Sequence, residues 1–254
     1  MGVYALTGGA AGIGRAVKDQ LLARGDSVIV VDIKDADVVA DLSTVEGREQ
    51  AIAGVRALTA GGLDGLVTSA GLGPATKPAS VVARVNFFGS QSLVDGLADL
   101  LALRKGAIVM ISSNSATMGA DENYVAALLK LDEEEACRII TETGSGQIAY
   151  GGSKLAITRW MRRRCGGLAA QGVRINAVAP GITRTALTDS VFEDAELGPA
   201  IKAFSQTVPL GGVASPGQIA DVVTFLLSPA ASFVCGSVFF VDGGHDATLR
   251  PDQF

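Results

Sequence analysis

The sequence predicts an α/β; doubly wound, Rossmann-type parallel sheet of about seven strands with helices on both faces. Three observations carry that expectation. Short β-branched runs alternate with longer stretches of helical period along the whole chain. The strand-like runs are apolar almost continuously rather than at every second position, as strands covered on both faces are. No Pro/Ser-rich or charge-rich linker divides the 254 residues, of which 48% are hydrophobic, into separate patterns. A single domain over 1–254 follows.

Taken in order, the first strand is expected at 3–7, a helix at 12–24, a strand at 28–32 and a short strand at 37–40. A helix at 45–60 and a strand at 66–69 come next. The second half reads as a helix at 81–103, a strand at 107–112, a helix at 150–171, a strand at 174–178, a helix at 216–227 and a strand at 237–241. In such a fold ligands lie beyond the carboxyl ends of the strands, where the residues of interest fall.

The first strand ends in Thr7-Gly8-Gly9-Ala10-Ala11-Gly12-Ile13-Gly14 and runs straight into a helix. Glycines let the backbone turn tightly and approach a pyrophosphate, while the helix N-terminus presents N–H groups to the anion. Gly8, Gly12, Ile13 and Gly14 are therefore candidate cofactor-binding residues. The second strand ends at Asp32-Ile33, eighteen residues after Gly14. A carboxylate there accepts hydrogen bonds from both hydroxyls of an adenosine ribose and repels a 2′-phosphate, which favours NAD over NADP. Lys34 and Arg15 could soften that preference. Asp41-Leu42 either holds the adenine or caps the next helix, and Ala70-Gly71 either admits a ribose or simply turns strand into loop.

Tyr150-Gly151-Gly152-Ser153-Lys154 stands at the opening of a predicted helix, so that Tyr150 and Lys154 share one helical face. A phenol has an ordinary pKa of about 10, and acid/base work near neutrality requires its anion to be stabilised. A neighbouring ammonium does that. Tyrosine and lysine four apart are usually a surface pair, so the pair gains meaning only from its company.

That company resembles the short-chain dehydrogenase/reductase family over essentially the whole chain. The features that agree are the 7–14 turn, Asp32, Asn86 within Val85-Asn86-Phe87-Phe88-Gly89, Ser112-Ser113 closing a strand, Tyr150 with Lys154, and Pro180-Gly181 after Asn176. The resemblance implies that Ser113 hydrogen-bonds the substrate oxygen, with Ser112 as its competitor. It implies that Tyr150 gives or takes the proton, and that Lys154 holds the nicotinamide ribose and depresses the phenol pKa. Asn86 would anchor a proton-relaying water, or merely kink its helix. Pro180, Gly181, Ile182 and Thr183 would seat the carboxamide.

Two departures from the family matter. Its Asn-Asn-Ala-Gly motif appears as Thr68-Ser69-Ala70-Gly71, so amide hydrogen bonds between strands must be replaced by hydroxyls or lost. The 37 residues from Ser113 to Tyr150 far exceed the family's usual interval, which leaves a helical insert at about 115–147, read as two short helices at 123–132 and 133–140. It either shapes the pocket or blocks the contact that many family tetramers make through the Tyr-Lys helix, so a dimer through the regions 216–227 and 237–241 is expected. A bacterial hydroxysteroid-oxidising subgroup shares this insert together with Val31-Asp32-Ile33, residues 39–44, residues 70–74 and the run 242–254 ending in Gln253-Phe254. That implies a secondary alcohol or ketone on an apolar, steroid-like substrate. A lid is expected at 184–208, where Leu187, Val191, Phe192, Leu197, Ile201 and Phe204 either line a pocket or pack one short helix.

Composition narrows the alternatives. A net charge of −5 offers no electrostatic footprint for nucleic acid or an anionic membrane surface. The longest apolar runs are strand-sized, and the N-terminal MGVYALTGGA enters structure at once without the pattern of a signal peptide, so a cytoplasmic protein is expected. Cys137, Cys165 and Cys235 are odd in number and widely spaced, which reads as packing, and the lone His245 reads as a solvated loop residue. No metal site is expected. The competing functional readings are an NAD-binding sensor or scaffold without turnover, and a reductase of ketoacyl thioesters.

Overall fold

The structure is a computed structural model that describes residues 1–254 apart from Ala60, Asp194, Glu196, Leu197 and Phe254. Leu197 and Phe254 of the sequence expectations therefore lie outside the described residues, as does the side chain of Leu187. Strand β1 (Val3–Thr7) is buried from Tyr4 onward and pairs on both sides. Helix α1 (Gly12–Ala23) buries Gly14, Val17 and Leu21, spaced three and four apart, as one face of a helix laid on a sheet must be. Strands β2 (Ser27–Asp32) and β3 (Val38–Val39) extend the sheet to one edge. Helix α2 (Val45–Leu58) begins where the Thr44 hydroxyl accepts the Gly47 N–H at 3.0 Å.

After strand β4 (Gly65–Thr68), helices α3 (Ser80–Ala83) and α4 (Ser90–Arg104) are joined by a π-helical segment, Arg84–Gly89. Strand β5 (Ala107–Ile111) leads through a short 3₁₀ turn, Asn114–Thr117, into helices α5 (Glu122–Leu129), α6 (Glu133–Thr143) and α7 (Gly146–Ala169). Strand β6 (Arg174–Pro180) is followed by helices α8 (Ala186–Glu193), α9 (Gly198–Ser205) and α10 (Pro216–Leu227). Strand β7 (Val238–Val241) and helix α11 (His245–Leu249) close the described chain. The sheet order is β3-β2-β1-β4-β5-β6-β7 and every pairing is parallel. Chain direction across the sheet reverses between β1 and β4, and the crevice there opens at the strands' carboxyl ends.

The central strands feed both faces. Ala5, Leu66, Ile108 and Met110 join one apolar cluster with Phe87, Leu97, Ile157 and Trp160, while Leu6, Val67 and Val109 join the other with Val17, Leu21, Ile219 and Val223. Continuous apolar runs are the consequence of this double burial. No helix among the described residues is long and apolar enough to cross a membrane.

Three differences from the sequence expectations have local causes. Helix α7 starts at Gly146 rather than Tyr150, because the Ser145 hydroxyl caps it by accepting the Ile148 N–H at 3.3 Å. Tyr150 thereby moves into the second turn. The segment 184–208 carries two helices, α8 and α9, instead of one. The insert forms α5 and α6 and lies directly on α7. Tyr124 of α5 is fully buried, and a Cβ built at Gly152 would come within 2.6 Å of its ring. One at Gly151 would sit 3.4 Å from the Ser115 carbonyl. Gly152 is thus what lets the insert approach, while a side chain at Gly151 would make only an ordinary contact. At its far end, Glu133 of α6 receives the buried Arg48 guanidinium at 2.6 Å and Arg84 at 3.3 Å, which ties the insert to α2 and to the π-helical segment.

Gly152→Ala should overpack this contact and lower unfolding stability by about 1–3 kcal/mol. Denaturant unfolding should show Tyr124→Leu restoring part of the loss in the double variant, and an unchanged midpoint for Gly152→Ala would contradict the close approach.

Candidate active site

The turn between β1 and α1 is shaped by two constraints. Gly8 has φ +75° and Gly12 φ +56°, both in the left-handed region. A side chain at Gly8 would meet the Ala70 backbone at 2.7 Å, so only glycine permits this turn to lie against the end of β4. Ala11 precedes α1 without any side-chain cap, which leaves the first-turn N–H groups of Gly12, Ile13 and Gly14 available to an anion. A nucleotide pyrophosphate fits that cradle by the chemistry of its donors. Asp32 stands at the carboxyl end of β2, where its carboxylate accepts the Ala10 N–H at 3.0 Å and the Ile33 N–H at 2.8 Å. Each oxygen keeps acceptor capacity for a ribose hydroxyl.

Asp41 closes a turn by accepting the Ser43 N–H at 2.9 Å, and the helix cap is Thr44 rather than Asp41. Leu42 is buried, packed against Gly89. At the end of β4 the Thr7 hydroxyl accepts the N–H groups of Ser69 at 3.1 Å and Ala70 at 3.0 Å. The Thr68 hydroxyl is buried without a partner among the described residues. The substitution of Asn-Asn by Thr68-Ser69 therefore loses one side chain's hydrogen bonds, while Thr7 holds the two strand ends together. A Cβ at Gly71 would lie 3.5 Å from Asn86 Oδ1 and 3.6 Å from Lys154 Nζ, so the Ala70-Gly71 backbone borders both candidate groups.

Asn86 lies in the π-helical segment and is buried. Its Oδ1 accepts the Leu72 N–H at 2.8 Å, and its Nδ2 donates to the Leu72 carbonyl at 3.0 Å and to the Ser153 hydroxyl at 3.3 Å. The amide is thus taken up by the 70–73 loop and α7, and Asn86 forms the wall behind Lys154. A π-helical turn supplies the local widening that aims it there.

Ser112 and Ser113 follow directly on β5 and have different partners. Ser112 donates to the Lys154 carbonyl at 3.2 Å and contacts the Thr158 hydroxyl at 2.7 Å, so it fastens strand to helix. Ser113 Oγ accepts both the N–H and the hydroxyl of Ser115, at 3.1 and 3.0 Å. With its two lone pairs filled, Ser113 can only donate onward. Burial raises the Tyr150 phenol above its ordinary pKa, and the nearby Ser113 hydroxyl acts the other way.

Lys154 reaches from α7 to the Ile111 carbonyl at 2.8 Å, with Nζ 5.8 Å from the Tyr150 ring centre. One of its three N–H groups is used and two remain. Burial lowers its pKa from the ordinary 10.5 to about 8. Pro180 ends β6, and Gly181 N–H donates to the Val241 carbonyl at 3.0 Å. A side chain at Gly181 would strike Asp242 at 2.7 Å. The Ile182 carbonyl accepts the Ala214 N–H at 2.9 Å, and the Thr183 carbonyl accepts the Thr188 hydroxyl at 2.6 Å, so this strip is pinned along its length.

His245 corrects the expectation of a solvated loop residue. It is 1% exposed, with Nε2 3.0 Å from the Thr207 hydroxyl, Nδ1 3.4 Å from Asn114 Nδ2, and its ring edge-on to Phe204 at 4.3 Å. Helix α11 folds back over the 184–208 segment and joins it to the residue after Ser113. Asp246 reinforces the joint by accepting the Thr117 hydroxyl at 2.9 Å and pairing with Arg250 at 2.8 Å. Ser115, Leu72 and Ile111 were not legible as site residues. Two of them act through backbone groups, which leave no mark in a sequence. No cluster of three or more metal-ligating side chains occurs among the described residues.

Comparison with known proteins places this geometry. A family model described as short chain dehydrogenase matches residues 3–127, and one described as Enoyl-(Acyl carrier protein) reductase matches residues 139–246. The stretch between the two matches falls inside the insert. The chain is 44% identical to the 3-alpha-hydroxysteroid dehydrogenase/carbonyl reductase of Comamonas testosteroni, over all of both chains. It is 30% identical to a 2,5-dichloro-2,5-cyclohexadiene-1,4-diol dehydrogenase of Sphingobium indicum, over 95% of this chain and 96% of that protein. The crystal structure of the 3-alpha-hydroxysteroid dehydrogenase from Pseudomonas sp. B-0831 complexed with NADH superposes with a TM-score of 0.96 at 43% identity, covering 99% of this chain and 100% of that one.

The lowered pKa of Lys154 has a consequence for stability. Below pH 8 the folded chain carries the whole cost of a buried ammonium, worth about 3 kcal/mol before its hydrogen bond is counted. Between about pH 8 and 10.5 the folded chain releases that proton while the unfolded chain keeps it, so stability rises with pH across this window. Lys154→Met should therefore be more stable than the parent by about 1–2 kcal/mol at pH 7. Urea titrations should show the difference shrinking toward pH 10, and a variant less stable than the parent at pH 7 would contradict this account.

Proposed function

The chain belongs to the short-chain dehydrogenase/reductase family, and from that premise we propose that it interconverts a secondary alcohol and a ketone on an apolar, steroid-like substrate with NAD(H). The observation that carries this reading is the Tyr150 ring facing a buried lysine, 5.8 Å from its Nζ, which has two N–H groups to spare, beside a Ser113 hydroxyl left only to donate. Asp32 supports NAD over NADP by presenting a carboxylate where a 2′-phosphate would sit. Gly12 to Gly14 would hold the pyrophosphate, and Pro180 to Thr183 the carboxamide. The cofactor supplies or accepts the hydride.

In the reducing direction Ser113 donates to the carbonyl oxygen and Tyr150 gives it a proton. In the oxidising direction Tyr150 takes the alcohol proton, and the positive charge of Lys154 stabilises the phenolate that precedes it. Asn86 ties the loop at Leu72 to Ser153, the residue before Lys154. Val191, Phe192, Ile201 and Phe204 are half-buried on α8 and α9, an apolar cover suited to a bulky hydrocarbon frame. A sensor without turnover would have no need of this donor geometry, and a ketoacyl thioester reductase is disfavoured by Asp32.

A panel of steroidal and smaller cyclic ketones and alcohols, followed by NADH absorbance in both directions with NADP controls, tests the reading. Turnover should be found with a secondary alcohol or ketone on an apolar ring system. Tyr150→Phe should keep NADH binding by fluorescence while losing about 10²–10⁴-fold in kcat. Undiminished turnover in that variant would remove Tyr150 from the chemistry.

The insert on α7 favours a homodimer over a tetramer, built through α10 and β7. Strand β7 is half-exposed at the sheet edge, Phe225 of α10 is 43% exposed, and Phe233 lies fully open beside them. Light scattering should give twice the chain mass, falling to the single-chain mass for Phe225→Glu. A monomeric parent, or a dimer indifferent to that substitution, would refute the assignment.

A further inference from the structure

We propose that Cys165 and Cys235 form a redox-active thiol pair, which closes to an intramolecular disulfide when a hydroperoxide is the oxidant. Their separation of 70 positions reads in the sequence as unrelated packing residues, and the fold overturns this by bringing the two Sγ atoms to 3.3 Å. Both residues are partly exposed, so an oxidant of a few atoms can reach them.

Neither sulfur is there by the drift of a loose loop. Cys165 stands on α7, eleven residues after Lys154. Cys235 is fixed on both sides: Asn176 Nδ2 donates to the Val234 carbonyl at 2.9 Å, Gly236 N–H donates to the Ile175 carbonyl at 2.7 Å, and Ser237 N–H donates to Asn176 Oδ1 at 3.1 Å. Gly236 has φ +76°, and a Cβ there would come within 2.9 Å of Cys165 Sγ. A glycine at this bend is what makes room for the second sulfur. Bond formation at about 2.0 Å needs only about 1 Å of closure shared between two side chains. Cys137 offers an internal contrast, since it is buried with its sulfur directed at the Ser80 carbonyl, 3.9 Å away.

The chemistry balances without a metal. One thiolate attacks the terminal peroxide oxygen and breaks the O–O bond, giving a sulfenic acid and, after proton uptake, water from hydrogen peroxide or an alcohol from an organic hydroperoxide. The second thiolate attacks that sulfur, forms the S–S bond and expels hydroxide, which is protonated to water. Two thiols are oxidised and one peroxide is reduced. Burial and the neighbouring Cys235 hold the Cys165 thiol above its ordinary pKa, with Arg162 acting the other way, so the reaction should quicken as pH rises. The bond would brace α7 against the root of β7, the strand that leads to Asp242 and His245.

The test is hydrogen peroxide treatment of the native protein, an acid quench, and intact mass with alkylation in denaturant. The expected product has lost two hydrogens, offers one alkylatable thiol before reduction and three after it, and melts a few degrees higher than the reduced form. Peptide mapping should join Cys165 to Cys235, and Cys235→Ser, shown to be folded by circular dichroism, should not lose the two hydrogens. Sulfinic or sulfonic adducts in place of the bond, disulfide-linked pairs of chains, or three thiols left untouched would each overturn the proposal.

Discussion

The ammonium of Lys154, drawn out of water against the Ile111 carbonyl, is the contact on which the site's arrangement rests. It joins α7 to the carboxyl end of β5, and the Ser112 hydroxyl repeats the connection one residue on by donating to the Lys154 carbonyl. Ser113 and Tyr150 face each other because these two ties fix helix and strand in one register. The burial that makes the lysine costly to fold is also what leaves its remaining N–H groups unquenched by bulk solvent. Stability and chemistry pull in opposite directions at this residue, as they commonly do where a site must be held in a strained electrostatic state.

Around that centre, each support is a close backbone approach made possible by a missing side chain. Gly8 allows the first turn to press on Ala70, Gly181 allows the end of β6 to press on Asp242, and Gly152 allows the insert to lie on α7. The insert is therefore part of the wall that keeps Tyr150 in place, since Tyr124 fills the space over Gly152 and Glu133 anchors the far end through Arg48 and Arg84. On the opposite side, α11 closes the structure by seating His245 between Thr207 and Asn114, so the 184–208 segment and the strand end bearing Ser113 share one strut.

Most of the fold was legible because its signals are local. Continuous apolar runs such as VIVVD at β2 and AIVMI at β5 follow from burial on both faces, and the 7–14 turn followed directly by a helix is a pattern that one strand and one helix suffice to read. The candidate site was legible where its side chains stand in a recognisable order along the chain: Asp32, Asn86, Ser113, Tyr150 and Lys154. Ser115 escaped because its part, filling both lone pairs of Ser113, has no motif. Leu72 and Ile111 escaped because they act through the peptide group, which every residue has.

The sequence by itself determined the sheet and the chain's family likeness and singled out the candidate acid/base and nucleotide-facing groups, since these depend on residue type and short spacing. Only the tertiary structure decided which serine faces Tyr150, that α7 begins a turn before it, that His245 is buried, and that Cys165 meets Cys235. Each of those depends on contacts between segments far apart in the chain, and such contacts are set by packing rather than by periodicity.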